Sequence, residues 1–369
     1  MRHQRQPPNR TSEPVATPIT AEGAAFASPE PRLRYLDCPV PAVGTTREIA
    51  PGIHWLRMPL PIDLNHINLW LIADGDGYTL IDTGYPAESC VAVWTSLGQT
   101  LLRDHPLKCI LLTHYHPDHM GCAAWLQDRF GAPVRIAARA LPSAQLMVHG
   151  PSSERREASV RYFMAHGMVD ARNFLESLAA LNRKSPLRSM PSVSQPLVNG
   201  ELLTVGDWRF EVIETDGHAL AHQSFFSAAP ELLISGDQIL PTISPNISLS
   251  QADWGLDPLG DYLASLDLLA KLPSSTVVLP SHGRPFVGLH ERIADLRAHH
   301  QHDLDLLCAQ TTEARSAYHL LPALFGRELA GFNLYLGLHE CVAHLEHLVR
   351  RGAVQRETND ARGYRYRRI

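Results

Sequence analysis

The pattern of apolar and polar positions along the chain predicts a strand-rich body. Short apolar runs separated by turn residues begin near Ile49, and such runs are typical of buried strands. They predict strands at residues 53–57, 67–72, 78–82, 109–112, 133–137, 202–205, 208–214, 224–226, 232–234 and 277–279. Apolar residues at helical spacing predict helices at 86–103 and 119–130. Strands interleaved with helices in this way favour two sheets packed face to face with helices outside.

Three segments depart from this pattern and set the expected domain organisation. Residues 1–45 are rich in Pro, Ser, Thr and Ala without periodicity, so we expect a disordered leader. The main domain is expected at 46–295, with a helical insertion at about 143–196 that could cover a site. In the remaining segment, 296–369, two helices followed by a β-ribbon predict a small winged-helix-like domain.

The composition describes an ordinary globular protein. Hydrophobic residues are 44% and charged residues 19% of 369 positions, which is enough apolar content for a real core. The net charge of −5 gives no overall attraction to nucleic acid or to a membrane surface. No apolar run approaches the roughly 20 residues that span a bilayer, and the N-terminal residues lack a secretory signal. Six scattered cysteines without a C-x-x-C pair are typical of reduced thiols, so we expect a cytoplasmic protein.

The most informative stretch is a histidine-rich turn directly after the predicted strand at 109–112. His114, His116, Asp118 and His119 lie within six residues there, in a chain with 20 histidines. Unpaired polar groups cost roughly 2–7 kcal/mol each when buried in an apolar setting. Histidine is the commonest metal ligand. This turn therefore predicts a metal site.

Three later residues have the chemistry and position of further ligands. His218, Asp237 and His282 each follow a predicted strand or lie beside a glycine. A single His or Asp in such a place is more often a turn or capping residue, so their value lies in their order along the chain. The adjacent glycines permit the tight bends that let strand ends converge.

The combined pattern, H-x-H-x-D-H, G-H, G-D and H, resembles the metallo-β-lactamase superfamily over residues 49–290. The resemblance implies an α+β fold, a four-layer αββα sandwich, with residues 46–295 as the catalytic domain. It also implies a dinuclear centre in which one metal is held by His114, His116 and His218, the other by Asp118, His119 and His282, and Asp237 bridges both. Two Zn2+ per chain are expected, with iron or manganese as alternatives.

The resemblance assigns roles to three further positions. Asp118 is the expected catalytic residue, which orients a nucleophilic hydroxide shared by the two metals. Asp82, in Ile81-Asp82-Thr83-Gly84, supports the ligands from outside, and His222 hydrogen-bonds near the site. Four other histidines are interpreted as surface or packing residues: His149, His166, His299 and His300. Of these, His166 lies in the expected insertion and could meet substrate.

Individual residues of the motif narrow the choice of branch within the superfamily. Asp237 stands where a cysteine would indicate a true β-lactamase, and His116 stands where flavodiiron proteins usually have Glu. Only about 45 residues separate Asp237 from His282, so the large extra domain of the mRNA-cleaving branch is absent. Thioesterase-like, lactonase-like and small-nuclease branches remain.

Two stretches and the C-terminal segment narrow the resemblance further. Residues 236–246, 257–262 and 338–352 look like a bacterial hydroxyacylglutathione-hydrolase-like group with a C-terminal winged helix. The same layout is similar to the β-lactamase-like protein 2 group, which contains endoribonucleases. Glyoxalase II binds glutathione through a different C-terminal helical domain, and the absence of that domain here argues against glutathione thioesters in particular.

The basic C-terminal tail leaves more than one class of substrate consistent with the sequence. Residues 350–369 contain seven arginines against two acidic residues, with Tyr364 and Tyr366 interleaved. Arginine with aromatics can follow a phosphate backbone and stack on bases, whereas a winged helix can also serve only for packing. The first hypothesis is hydrolysis of a thioester or related small acyl substrate. The alternatives are cleavage of single-stranded RNA, lactone hydrolysis, and nucleic-acid binding without catalysis, which the intact ligand set disfavours. No membrane partner is expected.

Overall fold

Two β-sheets with helices on their outer faces form the body of the protein. The computed structural model describes residues 33–62, 64–150, 152–182, 189–359 and 363–369. Its strands are β1 (Arg34–Tyr35), β2 (Thr46–Ala50), β3 (Ile53–Pro59), β4 (His66–Asp74), β5 (Gly77–Ile81), β6 (Leu107–Leu111), β7 (Val134–Arg135), β8 (Leu202–Val205), β9 (Trp208–Thr215), β10 (His222–Ala228), β11 (Glu231–Gly236), β12 (Val277–Pro280), β13 (Phe286–Val287), β14 (Val354–Asn359) and β15 (Gly363–Arg368). Its α-helices are α1 (Glu88–Gln99), α2 (Leu101–Asp104), α3 (Pro117–Met120), α4 (Ala123–Phe130), α5 (Leu141–His149), α6 (Ser153–Ala165), α7 (Ala171–Asn182), α8 (Pro258–Leu269), α9 (Leu289–Gln310), α10 (Ala317–Phe325) and α11 (Gly331–Arg350).

Both sheets mix antiparallel and parallel strands. One sheet has the order β2-β3-β4-β5-β6-β7 and the other the order β1-β13-β12-β11-β10-β9-β8. The β5–β6 and β11–β12 pairs are parallel. Since parallel neighbours need a crossover connection, helices α1 and α2 link β5 to β6, and α8 links β11 to β12. The carboxyl ends of each parallel pair therefore lie at the same edge of their sheet.

The two sheets face each other across an apolar layer. Trp55 and Trp70 stack there with ring centroids 6.2 Å apart, and both are almost fully buried. Phe225, from the other sheet, belongs to the same cluster. The Trp55 indole N–H donates to Asn68 Oδ1 at 2.8 Å, and the Asn68 amide donates to the carbonyls of Pro280 and Gly283. These bonds fix the loop after β12 to β4.

Helices cover the outer face of each sheet. Trp94 of α1 and Leu126 of α4 pack in one cluster with apolar side chains of the six-stranded sheet. Leu266 of α8 and Ile293 of α9 pack against the seven-stranded sheet in another. The order of layers is helix, sheet, sheet, helix, which confirms the predicted α+β sandwich. Within the part of the chain that the structure describes, no helix is long and apolar enough to cross a membrane.

The N-terminal leader and the insertion differ in detail from expectation. Residues 1–32 of the expected leader lie outside the described residues. The disorder expected as far as residue 45 is not what the structure shows, because β1 pairs with β13 and Tyr35 packs against the core. The expected helical insertion contains α5, α6 and α7, but its last part, 189–196, lacks helix and runs beside β7 through a bridge between Val134 and Val193.

The C-terminal segment packs a β-ribbon onto its own helices. Helices α9, α10 and α11 are followed by the antiparallel pair β14–β15. Tyr366 of β15 is fully buried, and its hydroxyl donates to Glu346 of α11 at 2.8 Å. Arg356 donates to the other oxygen of Glu346 at 2.6 Å and lies over the rings of Trp254 and Tyr364. The ribbon is therefore part of the folded body rather than a free arm.

The buried Tyr366 hydroxyl provides a test of this packing. In Tyr366→Phe the carboxylate of Glu346 loses a donor in a buried position, so we expect the free energy of unfolding to fall by about 1–3 kcal/mol. Urea denaturation measures the change. Tyr318→Phe is the matched control, because Tyr318 is exposed. A loss no greater than that of the control would contradict this role of the hydroxyl.

Candidate metal centre

The candidate residues converge where strands of both sheets end. Each of them follows a strand or lies in the turn after it, and the element that precedes each is one of β5, β6, β9, β11 or β12. Helix α3 begins at Pro117, a residue suited to the first helical position because its φ is preset. That start places His114 and His116 before the helix and Asp118 and His119 in its first turn.

The first group consists of three imidazoles. Ligand atoms of His114, His116 and His218 lie within 4.8 Å of one another. The rings of His114 and His116 have centroids 4.6 Å apart, and those of His116 and His218 are 4.7 Å apart. His114 is fully buried. These are three of the sequence-predicted ligands, from two different loops.

The second group adds a carboxylate. Ligand atoms of Asp118, His119 and His282 also lie within 4.8 Å of one another. Asp118 Oδ2 is 3.3 Å from Nε2 of His282 and 3.7 Å from Nε2 of His119. His119 and His282 are buried, whereas Asp118 keeps part of its side chain exposed. The carboxylate thus lies at the accessible side of the group.

Asp237 lies between the two groups. Its Oδ2 is 3.4 Å from Nε2 of His119 and 3.5 Å from Nε2 of His218. Its Oδ1 is 3.5 Å from Nε2 of His282. The structure therefore brings all seven predicted ligand side chains together, with Asp237 in contact with members of both groups.

Backbone carbonyls orient two of these histidines from behind. His218 Nδ1 bonds to the carbonyl of Asn246 at 2.9 Å, and His282 Nδ1 bonds to the carbonyl of His66 at 2.8 Å. A carbonyl oxygen can only accept, so Nδ1 carries the proton and Nε2 presents its lone pair. This is the arrangement that orients metal-ligating histidines in proteins.

Asp82 orients a third histidine and holds the turn. Its carboxylate accepts from the Thr113 backbone N–H, from the Thr113 hydroxyl and from His119 Nδ1, each at 2.8 Å. Asp82 itself has a φ of +60°, an uncommon conformation for a residue other than glycine. Strain of this kind persists where surrounding contacts over-determine it, and it is concentrated at functional sites.

His222 contacts the centre through the backbone. Its Nε2 accepts from the Asp237 N–H at 3.1 Å, which fixes the start of the Asp237 turn. Gly236 has a φ of +55°, and a Cβ there would lie 2.5 Å from His222 Nε2. Glycine is therefore required at this position for both conformation and space.

The donor set fits a metal ion. His119 Nε2, His218 Nε2 and Asp237 Oδ1 are buried, and none has a hydrogen-bond partner among the described residues. Buried polar atoms are nearly always satisfied, so several unsatisfied ones facing a common volume need an explanation. Imidazole nitrogens and carboxylate oxygens are ligands for zinc and similar divalent ions.

Electrostatics set different protonation in the two groups. Burial lowers the pKa of His114 well below its usual range, and burial with neighbouring imidazoles lowers that of His116 to about 3. Burial also acts to lower the pKa of His119, but the surrounding carboxylates, Asp237 foremost, outweigh it and raise that pKa. Burial acts to raise the pKa of Asp118, yet the charge of His119 and the contact with His282 lower it to about 2. His114 and His116 are therefore neutral imidazoles, and Asp118 is ionised.

Some residues that contact the site were not predicted from the sequence. One is His66, whose carbonyl orients His282 and whose Nε2 accepts from the Gly283 N–H at 3.0 Å. The Asn246 side chain donates to Glu340 of α11 at 2.8 Å while its carbonyl holds His218, so the C-terminal segment reaches the site. Nothing local marked His66, because its partners are more than 200 positions away.

His166 is not part of the candidate metal centre. The sequence placed it in a covering insertion where it could meet substrate, but it is fully buried against Tyr162, Trp254 and Tyr364. It therefore packs α6 against the ribbon. His149 is exposed at the end of α5.

Comparisons with known proteins agree with this architecture. The family model described as the metallo-beta-lactamase superfamily matches residues 62–282, and the model described as metallo-beta-lactamase-like, C-terminal domain matches residues 304–369. A beta-lactamase domain protein from Burkholderia ambifaria, known from its crystal structure, is 35% identical and superposes with a TM-score of 0.84, covering 92% of this chain and 98% of that one.

Two curated relatives are more distant. A probable metallo-hydrolase of Bacillus subtilis, YqjP, is 24% identical over 306 residues, which is 79% of this chain and 90% of that protein. A hydroxyacylglutathione hydrolase of Bdellovibrio bacteriovorus is 25% identical over 222 residues, 59% of this chain and 67% of that protein. With the matched family model spanning more than half of the sequence, the chain belongs to the metallo-beta-lactamase superfamily, whose members are in general metal-dependent hydrolases.

Proposed function

We propose that the protein is a dinuclear, zinc-type hydrolase that acts on a thioester or a related small acyl substrate. The observation that carries the proposal is the geometry of Asp237, which contacts His119 and His282 of one group and His218 of the other. His114, His116 and His218 would hold one ion. Asp118, His119 and His282 would hold the second, and Asp237 would serve both.

The chain's own residues determine how such a site would work. Divalent ions held there would supply an activated water at neutral pH and polarise the carbonyl oxygen of the substrate. Asp118 is the ionised, partly exposed carboxylate of the site, so it can accept a hydrogen bond from the attacking water and orient it. Its low pKa makes it a weak base, so its contribution is orientation more than proton removal.

Two observations support an acyl substrate. The relative from Bdellovibrio bacteriovorus is named a hydroxyacylglutathione hydrolase, and its name therefore describes hydrolysis of an acyl substrate, as proposed for this chain. The aromatic residues of the ribbon are engaged in packing, since Tyr366 is buried on Glu346 and Tyr364 stacks on Trp254 with centroids 5.7 Å apart. Neither ring is free to stack on a nucleic-acid base.

Cleavage of single-stranded RNA is the second candidate. Arg351, Arg367 and Arg368 are exposed on the ribbon and the helix end before it, where they would attract a phosphate backbone. Arg367 forms an ion pair with Glu357 at 2.9 Å, which reduces the charge it offers. This surface is the feature on which the second candidate depends.

Removal of the shared carboxylate tests the dinuclear centre. In Asp237→Ala we expect the purified protein to lose about one zinc ion per chain, because Asp237 contacts both ligand groups. Metal analysis after dialysis measures the content, and Asp128→Ala, an exposed carboxylate on α4, is the control. An Asp237→Ala protein with unchanged zinc content would refute the bridging role.

A substrate panel separates the two candidates. The zinc-loaded protein is expected to hydrolyse members of a panel of acyl thioesters and to leave single-stranded RNA intact. In the doubly substituted Arg367→Glu, Arg368→Glu protein, thioester turnover should be unchanged, because both side chains lie in the ribbon outside the ligand groups. Rapid RNA cleavage that this double substitution reduces, with no thioester turnover, would replace the first candidate by the second.

A further inference from the structure

A second cluster of metal-ligating side chains lies outside the candidate metal centre. It joins two helices of the C-terminal segment and is called here the α9–α11 cluster. Its members are His299, His300 and Asp303 of α9 and His344 of α11. Ligand atoms of the three α9 residues lie within 4.8 Å of one another. Asp303 lies four positions after His299 and three after His300, which are the spacings that bring side chains together on a helix.

Ligand-type atoms of the cluster lie close to one another across the α9–α11 contact. Zinc–ligand bonds of about 2.0–2.1 Å at tetrahedral angles put neighbouring ligand atoms roughly 3.3 Å apart. His300 Nδ1 is 3.1 Å from His344 Nε2, and His299 Nε2 is 3.5 Å from Asp303 Oδ2. His344 Nε2 is 4.0 Å from the same oxygen. Two of these three distances lie near that spacing, and His344 adds a nitrogen from α11 beside the three α9 ligand atoms.

The far nitrogen of each buried histidine is already fixed. His344 Nδ1 bonds to the Glu340 carbonyl at 2.8 Å, so Nδ1 carries the proton and Nε2 presents a lone pair to the cluster. His300 Nε2 lies 3.1 Å from the hydroxyl of Ser244, which leaves Nδ1 facing the same volume. Oxygen partners on the outer ring nitrogen are the usual support of metal-ligating histidines.

The carboxylate of Asp303 lies beside two histidines of the cluster. Its side chain is 12% exposed, and His344 Nε2, which accepts from His300 Nδ1–H at 3.1 Å, lies 4.0 Å from its Oδ2. The side chains therefore form one contiguous group of metal-ligand types. Among the described residues, no lysine or arginine forms an ion pair with Asp303, whose contacts of this kind are with His299 and His344. A buried carboxylate is normally paired or bound to a metal.

We propose that the α9–α11 cluster binds one divalent transition-metal ion of the zinc type, separate from the metal centre at the strand ends. Three imidazoles and one carboxylate suit zinc better than the oxygen-preferring calcium or magnesium. His299 is the exposed member and offers the entry path, with its side chain 45% exposed. The ion would join α9 to α11 beside Ser244, two positions from the Asn246 carbonyl that orients His218.

The number of ions bound per chain tests the proposal. The His299→Ala, Asp303→Asn protein keeps the His300–His344 contact and is expected to fold, which circular dichroism checks. After dialysis of the full-length proteins against zinc at one fixed free concentration, mass-spectrometric metal analysis should find one ion per chain fewer than in the unsubstituted protein. Asp305→Asn, an exposed residue of the same helix, is the control and should lose none. An equal zinc content in all three proteins would overturn the proposal.

A second measurement separates this cluster from the metal centre. In a protein disabled at both ligand groups of the centre by His116→Ala, His119→Ala and Asp237→Ala, zinc should still raise the Tm, because binding to the native state alone stabilises it. Adding Asp303→Asn should abolish that rise. A rise that survives Asp303→Asn would place the stabilising ion elsewhere and refute the assignment.

Discussion

The structure depends on the orientation of imidazole rings whose inner nitrogens face one buried volume. Three different partners hold the Nδ1 atoms of His119, His218 and His282: the Asp82 carboxylate and two backbone carbonyls. Each of these bonds leaves Nε2 directed inward, where its neighbours are the other ligand-type atoms of the site. A polypeptide that buries such groups must compensate them, and a bound divalent ion is the compensation that fits the set.

The sandwich makes this arrangement rigid. Parallel pairing in both sheets brings the carboxyl ends of β5, β6, β11 and β12 to positions from which their loops meet. The inter-sheet bonds of Asn68, which tie the loop after β12 to β4, keep His282 in register with the opposite sheet. The candidate metal centre is thus held by residues that also join the two sheets. The C-terminal helix α11 is connected to the centre by the hydrogen bond between Glu340 and Asn246.

The fold class and the identity of the clustered side chains could be predicted from the sequence, because a dense ligand motif and short apolar runs are local signals. Residues whose role depends on pairing with distant parts of the chain could not be predicted. His66 acts through its backbone, which carries no side-chain signature, and β1 is two residues long and acquires its structure from β13. The burial of Tyr366 could not be predicted either, because an arginine-rich ribbon that packs on its own domain and one that binds nucleic acid have the same local pattern. Helix α8 also went unpredicted, although Asp257 caps it with a bond to the Gly260 N–H.

The most direct test of the central claim is to locate metal in crystals of the zinc-loaded protein by anomalous scattering at the zinc edge. The account predicts two strong peaks roughly 3.5–4 Å apart at the strand ends. One should be adjacent to His114, His116 and His218 and the other to Asp118, His119 and His282, with Asp237 reaching both. A single peak there, or none, would contradict a dinuclear centre built from these seven side chains.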